Sequence, residues 1–337
     1  MSVAAGESDE TVVRRSMKEG LTRREFVSGV VALAAAACRN SSSVELPNGV
    51  ATSVGEGNFG AIYGSPPHRA AFREFLENVF HLYPAADLDA LIAELVQRGA
   101  TDAEVYAQAA KRLPEISPFL GSVRYALPTL SKQKREMTEQ TCRLLGDRTT
   151  IEGYLEVGSH GRYLDHLQQR VNVRGPVYTT APVPATHGVT DIIDRGRVTL
   201  PGQTLAWNDY AGYAEGQIEA GSVDLITIYI GLHHATEEAR RPYVQSLRRS
   251  LSKHGSVIIR DHDVRDTDMR AMVGLAHDVF NLGTHESWTT NAAERRNFYS
   301  LDYLIALFEQ EGFRAHPERL RQAGDPTLNT LLRFDKA

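Results

Sequence analysis

The sequence predicts a doubly wound α/β sheet preceded by a helical module, and three observations carry that reading. Segments such as "VDLITIYI" (223–230) are almost continuously apolar, as parallel strands covered on both faces must be. From residue 150 onward such segments alternate with helix-length stretches, the pattern of a mostly parallel sheet flanked by helices. A glycine-bearing turn, "GYLEVGSHGRYLDHL" (153–167), follows the first strand and opens a helix. In doubly wound sheets that is where a ligand meets unpaired helix N–H groups.

Each element has a local justification. Phe72, Phe75, Leu76, Val79 and Leu82 follow helical spacing and give one apolar face after Pro66. A second helix runs from about Asp87 to Arg98 and stops at Gly99, the residue type suited to a left-handed cap. Thr101 and Glu104 have capping-box spacing and open a third helix, expected to end before Pro114. A fourth covers 129–146, with Leu130, Met137, Thr141, Leu144 and Leu145 on or near one face. These helices, 61–148, read as a cap over the cleft of the 149–337 domain. Seven strands are expected there, near 152–157, 176–180, 203–207, 223–230, 257–261, 313–316 and 328–334. The last helix starts at Ser300, buries Leu301, Leu304, Ile305 and Phe308, and ends at Gly312.

A chain of 337 residues can bury a substantial core, and its net charge of −5 argues against nucleic acid as a partner. Its two cysteines, Cys38 and Cys142, suit neither a disulfide framework nor a cysteine metal cluster. Residues 22–38, "TRREFVSGVVALAAAAC", place Arg23 and Arg24 before Phe26 and an apolar run too short to span a bilayer. The arrangement resembles a twin-arginine export signal, which implies export machinery as a partner and a location outside the cytoplasm. Ala35-Ala36-Ala37-Cys38 resembles a loose lipoprotein box and makes Cys38 a candidate anchor. Retention in the cytoplasm is the alternative. Residues 39–60, rich in Ser, Asn and Gly, read as a flexible linker.

The turn after the first strand has Glu156-x-Gly158-x-x-Gly161, one glycine short of a dinucleotide fingerprint. With its neighbours it resembles something more specific. "YLEVGSHGRY", "WNDYAGY", "SVDLITIYIGLHH", "LSKHGSVIIRDHD" and "YSLDYLIALFEQEGF" resemble, in order and spacing, motifs of class I S-adenosylmethionine-dependent methyltransferases, in particular the ubiquinone-methyltransferase-like branch. The resemblance covers about residues 130–335. It implies a Rossmann-like seven-stranded sheet, S-adenosylmethionine as cofactor and direct methyl transfer to a small molecule. It further implies that Glu156, Gly158, Ser159, Gly161, Thr180, Asp209, Tyr210 and Ile230 bind the cofactor, with Asp209 beside the adenine. The sequence departs from the pattern twice: His160 replaces the central glycine, and no acid follows the second strand. Only Thr179 or Thr180 offers a hydroxyl there, in "VYTTAPV".

His233 and His234 follow the fourth strand, and a histidine at that cleft mouth can accept a proton near neutral pH. His233 is assigned as the base, with Asp261 and His262 of "RDHD" as positioning groups from the fifth strand. Three of those four residues are of metal-ligating type, and His277-Asp278 lies further on. Convergence cannot be read from spacing, so the segment is taken as a polar substrate rim with no metal assigned. Trp288 and Phe298–Tyr299 are candidates for the acceptor pocket. Two other readings stay open. One is a non-catalytic binding protein on the same fold, suggested by the missing acid and the export signal. The other is a nucleotide-dependent oxidoreductase, against which the short glycine loop and Asp209 speak.

Overall fold

The computed structural model describes residues 57–117 and 127–337. The export signal, Cys38 and most of the expected linker lie outside the described residues. Among the described residues, no helix is long and apolar enough to cross a membrane.

Four helices come first: α1 (Asn58–Tyr63), α2 (Pro66–Phe75), α3 (Ala85–Gln97) and α4 (Asp102–Ile116). The linker expected over 39–60 therefore ends earlier, because Phe59 is fully buried and pins residues 58–60 in a helical turn. A π-helical turn, Leu76–Phe80, extends α2 and stops at His81, whose φ of 48° is left-handed. Gly99 (φ 71°) follows α3 as a left-handed turn, and the Thr101–Glu104 capping box is formed in both directions. Helix α4 passes through Pro114 and ends at Ile116, beyond the limit expected from sequence. Only its last turn follows the proline, where few intrahelical bonds remain to be lost.

The sheet follows: β1 (Thr150–Val157), β2 (Asn172–Thr180), β3 (Gln203–Thr204), β4 (Val223–Ile228), β5 (Leu251–His262), β6 (Phe313–Arg321) and β7 (Asn329–Lys336). Its order is β3-β2-β1-β4-β5-β7-β6, parallel except that β7 runs antiparallel to both neighbours. This is a Rossmann-like seven-stranded sheet closed by a C-terminal hairpin. The chain order reverses between β1 and β4, so the crevice beyond their carboxyl ends is the switch point where such sheets bind ligands.

Connecting helices are α5 (Leu127–Leu145), α6 (Leu164–Gln168), α7 (Val189–Arg195), α8 (Glu237–Ser250), α9 (Thr267–Gly283), α10 (Trp288–Ala293) and α11 (Leu301–Gln310). One face of the sheet packs against α8 and α11 through Tyr243, Val244, Leu247, Leu304 and Phe308. The other packs against α5 and α6 through Met137, Leu144, Leu145, Leu164 and Leu167. The fourth helix of the expected cap is thus a layer of the sheet domain, since its apolar stripe is complementary to Ile151, Tyr154, Leu225 and Leu331.

The first four helices do not form a separate bundle. Phe59, Phe72, Phe75, Phe80, Leu88 and Tyr106 share one core with Met272, Leu275, Val279 and Leu282 of α9. At about 1.5–3 kcal/mol per fully buried large apolar side chain, this shared core fixes α9, and with it everything α9 carries, against the cap.

Candidate functional site

The glycine turn sits at the carboxyl end of β1 as expected. Gly158 (φ 97°) and Gly161 (φ 94°) both adopt left-handed backbone that a side chain would strain. Gly158 N–H donates to the carbonyl of Thr180 at 2.7 Å, which ties the turn to the end of β2. A Cβ on Gly158 would lie 2.8 Å from the Ile230 side chain, and one on Gly161 would lie 2.7 Å from Pro201. His160 is accommodated by pointing away, its Nε2 donating to the carbonyl of Val183 at 2.6 Å.

The structure separates the residues assigned to the cofactor. Gly158, Ser159, Thr180 and Ile230 converge on the turn, with Ser159 bridging Thr180. Thr180 Oγ1 is buried and has no hydrogen-bond partner, whereas the Thr179 hydroxyl pairs with Thr204 at 3.5 Å. Of the two candidate hydroxyls, Thr180 is the one left for a ligand. Glu156 is fully buried and engaged within the fold: Tyr154 donates to it at 3.0 Å, Ser159 bonds it, and Tyr163 N–H lies at 3.4 Å. Burial raises its carboxyl pKa, and the Ser159 and Tyr154 hydrogen bonds only partly offset that. Glu156 thus braces the loop. Asp209 lies in the loop after β3, half-exposed and ion-paired with Arg295. Tyr210 is core: its hydroxyl donates to the Gly231 carbonyl at 3.1 Å and its ring packs edge-on to Trp207 and Tyr243.

On the other side of Ile230 lies a cavity of about 220 Å³. Arg162 and Tyr163, directly after the glycine turn, form part of its wall, as do Tyr229, Ile230, Arg260 and Asn281. His233, His234, Asp261, His262 and His277 line it too. The two strand-end pairs expected to border one cleft do so, and α9 adds His277.

Asp261, at the end of β5, organises the cluster. Its Oδ1 accepts from His233 Nδ1 at 2.6 Å, and its Oδ2 accepts from Leu232 N–H at 2.8 Å and from the Tyr299 hydroxyl. Burial alone would raise its pKa, but His233, Tyr299 and His262 outweigh that and hold the carboxyl below the ordinary range. His233 is 3% exposed, and its Nε2 has no hydrogen-bond partner. His234 Nδ1 donates to the Arg295 carbonyl at 3.1 Å, His262 Nδ1 to the Thr327 carbonyl at 3.0 Å, and His277 Nδ1 to Glu294 at 3.4 Å. Burial, more than any neighbour, pushes the pKa values of His234, His262 and His277 down, which favours the uncharged form of each ring.

Glu294, just past α10, is the group that sequence reasoning missed. It faces His277 and His234 and is held by Arg296 at 2.8 Å, which also binds Asp278 at 2.7 Å. No local signal marks it, since it reaches the cluster only through the fold of 284–298. Of the aromatic candidates, Phe298 packs on His233 with ring centroids 5.3 Å apart, and Tyr299 bonds Asp261. Trp288 instead packs on Tyr106 in the cap core, 5.4 Å between centroids.

No protein-family model matches this chain, and no curated protein matches it. Among solved structures, it is similar to the 1,6-didemethyltoxoflavin-N1-methyltransferase of Burkholderia thailandensis, solved with 1,6-didemethyltoxoflavin and S-adenosylhomocysteine. That similarity is 14% identity over 60% of this chain and 78% of the other, with a TM-score of 0.42. It is also similar to a putative O-methyltransferase from Nostoc punctiforme, at 15% identity over 83% of this chain and 72% of that one, TM-score 0.41. A methyltransferase from Aquifex aeolicus gives 14% identity, 59% and 89% coverage and a TM-score of 0.38. These scores add nothing to what the strand order already establishes about the fold.

Proposed function

We propose that the protein is an S-adenosylmethionine-dependent methyltransferase acting on a small molecule, and that it is exported through the Arg23-Arg24 signal. One observation carries the enzymatic reading. The glycine turn at the switch point and the histidine-lined cavity share a wall, formed by Ile230 and by Arg162 and Tyr163. A cofactor on the turn and an acceptor in the cavity would be neighbours.

The residues present fit the cofactor. The backbone of Gly158–Gly161 and the unpartnered Thr180 hydroxyl would hold it, and Asp209 would join on release from Arg295. The cofactor supplies a methyl group already activated on a sulfonium, so the protein's task is alignment. Tyr163 and Arg162 close the cavity on the turn side. His233 presents Nε2 as the basic atom toward the acceptor, Asp261 fixes its tautomer, and His262 lines the same wall.

A second reading, a binding protein without turnover, is favoured by Glu156, whose carboxylate is engaged inside the fold. Incubating the full chain with S-adenosylmethionine and fractionated small-molecule extracts separates the two. Formation of S-adenosylhomocysteine supports the enzyme, and cofactor binding without product supports the second reading. Binding of a nicotinamide dinucleotide in its place would overturn both.

A further inference from the structure

We propose that His233, His234 and His277 form a site for a divalent transition metal, with an open coordination position turned to the cavity. One ring nitrogen from each of the three lies within 4.8 Å of those of the others. Ligands at about 2.0–2.1 Å from a tetrahedral Zn²⁺ stand roughly 3.3 Å apart. Closing the triad therefore takes a contraction of at most about 1.5 Å, within the reach of small side-chain rotations.

The outer shell is built as metal-ligating histidines require. Such rings use one nitrogen on the metal and donate the other N–H to a carboxylate or carbonyl. Here His233 Nδ1 is held by Asp261 at 2.6 Å, His234 Nδ1 by the Arg295 carbonyl at 3.1 Å, and His277 Nδ1 by Glu294 at 3.4 Å. Each bond leaves Nε2 as the lone-pair atom. His233 Nε2 is the independent observation, since it is buried and unpartnered, and an unsatisfied buried polar atom costs about 1–3 kcal/mol. A cation there would satisfy it.

The donor set selects the metal. Three imidazoles suit zinc, copper, nickel or iron, and do not suit magnesium or calcium, which take oxygen ligands. Asp261 and Glu294 stand behind the rings as buried carboxylates, although Arg296 shares Glu294. All three histidines line the cavity. Three protein ligands with a fourth position open is the arrangement of a site that binds a reactant rather than one that only staples a fold. The ligand class is a small molecule offering an oxygen or nitrogen donor. A cation would take the His233 lone pair, and activation of that donor would then come from coordination in place of proton removal by His233.

The test uses the full-length protein, stripped with a chelator and titrated with Zn²⁺ by calorimetry, with Mg²⁺ as the control metal. One Zn²⁺ per chain is expected, with no matching Mg²⁺ site. His233→Ala, His234→Ala and His277→Ala should each weaken Zn²⁺ at least about 10-fold, and Asp261→Asn by roughly 10–100-fold. His254→Ala, an exposed histidine near the far end of β5, should change nothing. Because a truncated core histidine can disturb folding, His277→Gln is measured as well, alongside the rise in melting temperature that Zn²⁺ gives the wild type. Zinc binding unaffected by these substitutions, or Mg²⁺ bound as tightly as Zn²⁺, would overturn the site. The titration needs no methyl donor, so its outcome is independent of the methyltransferase reading.

Discussion

Asp261 and His233 form a buried hydrogen bond of 2.6 Å that joins the end of β5 to the loop following β4. The bond depends on a third residue with no side chain. Gly231 turns the chain at φ 73°, and a Cβ there would stand 2.6 Å from His233 Nδ1 and 2.8 Å from Asp261 Oδ1. Neither neighbour can retreat, because the His233 ring is packed against His277 and Phe298 and Asp261 is bonded by Leu232 N–H and the Tyr299 hydroxyl.

Gly231→Ala should therefore break the pair. The left-handed backbone alone costs a side chain about 1–2 kcal/mol, and displacement of a charge-assisted bond adds about 1.5–3 kcal/mol. Denaturant unfolding should show a loss at or above the first figure. A variant as stable as the wild type would mean that the loop relaxes freely and that the pair is not rigid.

Thr180→Val tests the cofactor side without the strain that any substitution at Gly158 brings. The swap is nearly isosteric and removes a buried hydroxyl that has no partner in the fold. Stability should be unchanged or slightly higher, while S-adenosylmethionine affinity falls by about 0.5–1.5 kcal/mol, the net worth of one neutral hydrogen bond. Calorimetry and a melting curve on the same sample read both. Unchanged affinity would remove Thr180 from the cofactor site.

Arg296→Met addresses the support behind the histidines. Arg296 is the cation between Asp278 and Glu294, whose side chains are 2% and 3% exposed. Removing one partner from a buried ionic network costs about 3–5 kcal/mol, because uncompensated carboxylates remain. A double variant that also carries Asp278→Asn should recover part of that loss. No recovery in a two-by-two cycle of unfolding energies would show that the two residues do not act as a unit.

Export is tested by replacing Arg23 and Arg24 with lysine. The signal is read as a guanidinium pair, so preserving charge should not preserve function. Fractionation should find the double variant in the cytoplasm and the wild type outside it. Identical distributions would remove the signal assignment.

Much of the fold was legible because the relevant physics is local. An apolar run flanked by turns reports a strand buried on both faces, and all seven expected strands are present, differing at their ends. Glycine at 158 and 161 reports positive φ because other residues are strained there. Thr101 and Glu104 report a helix start because the cap is made within four residues. The strand-end pairs at 233–234 and 261–262 were placed at one cleft by topology alone, since neighbouring parallel strands end on the same side of a sheet.

The tertiary structure decided what depends on long-range packing. Helix α5 carries the same kind of apolar stripe as the cap helices, and only the shape of the sheet face shows which surface it covers. Asp209 and Glu156 had the expected spacing, but side-chain partners far along the chain or within the turn engaged them. The histidine cluster shows the limit most clearly. The sequence by itself determined where His233, His234 and His262 stand along the sheet edge, because strand ends fix them. His277 and Glu294 join them only because α9 shares its core with the cap helices and the segment after α10 folds back along the loop that carries His233. Convergence of side chains from separate elements is set by packing, and no local pattern encodes it.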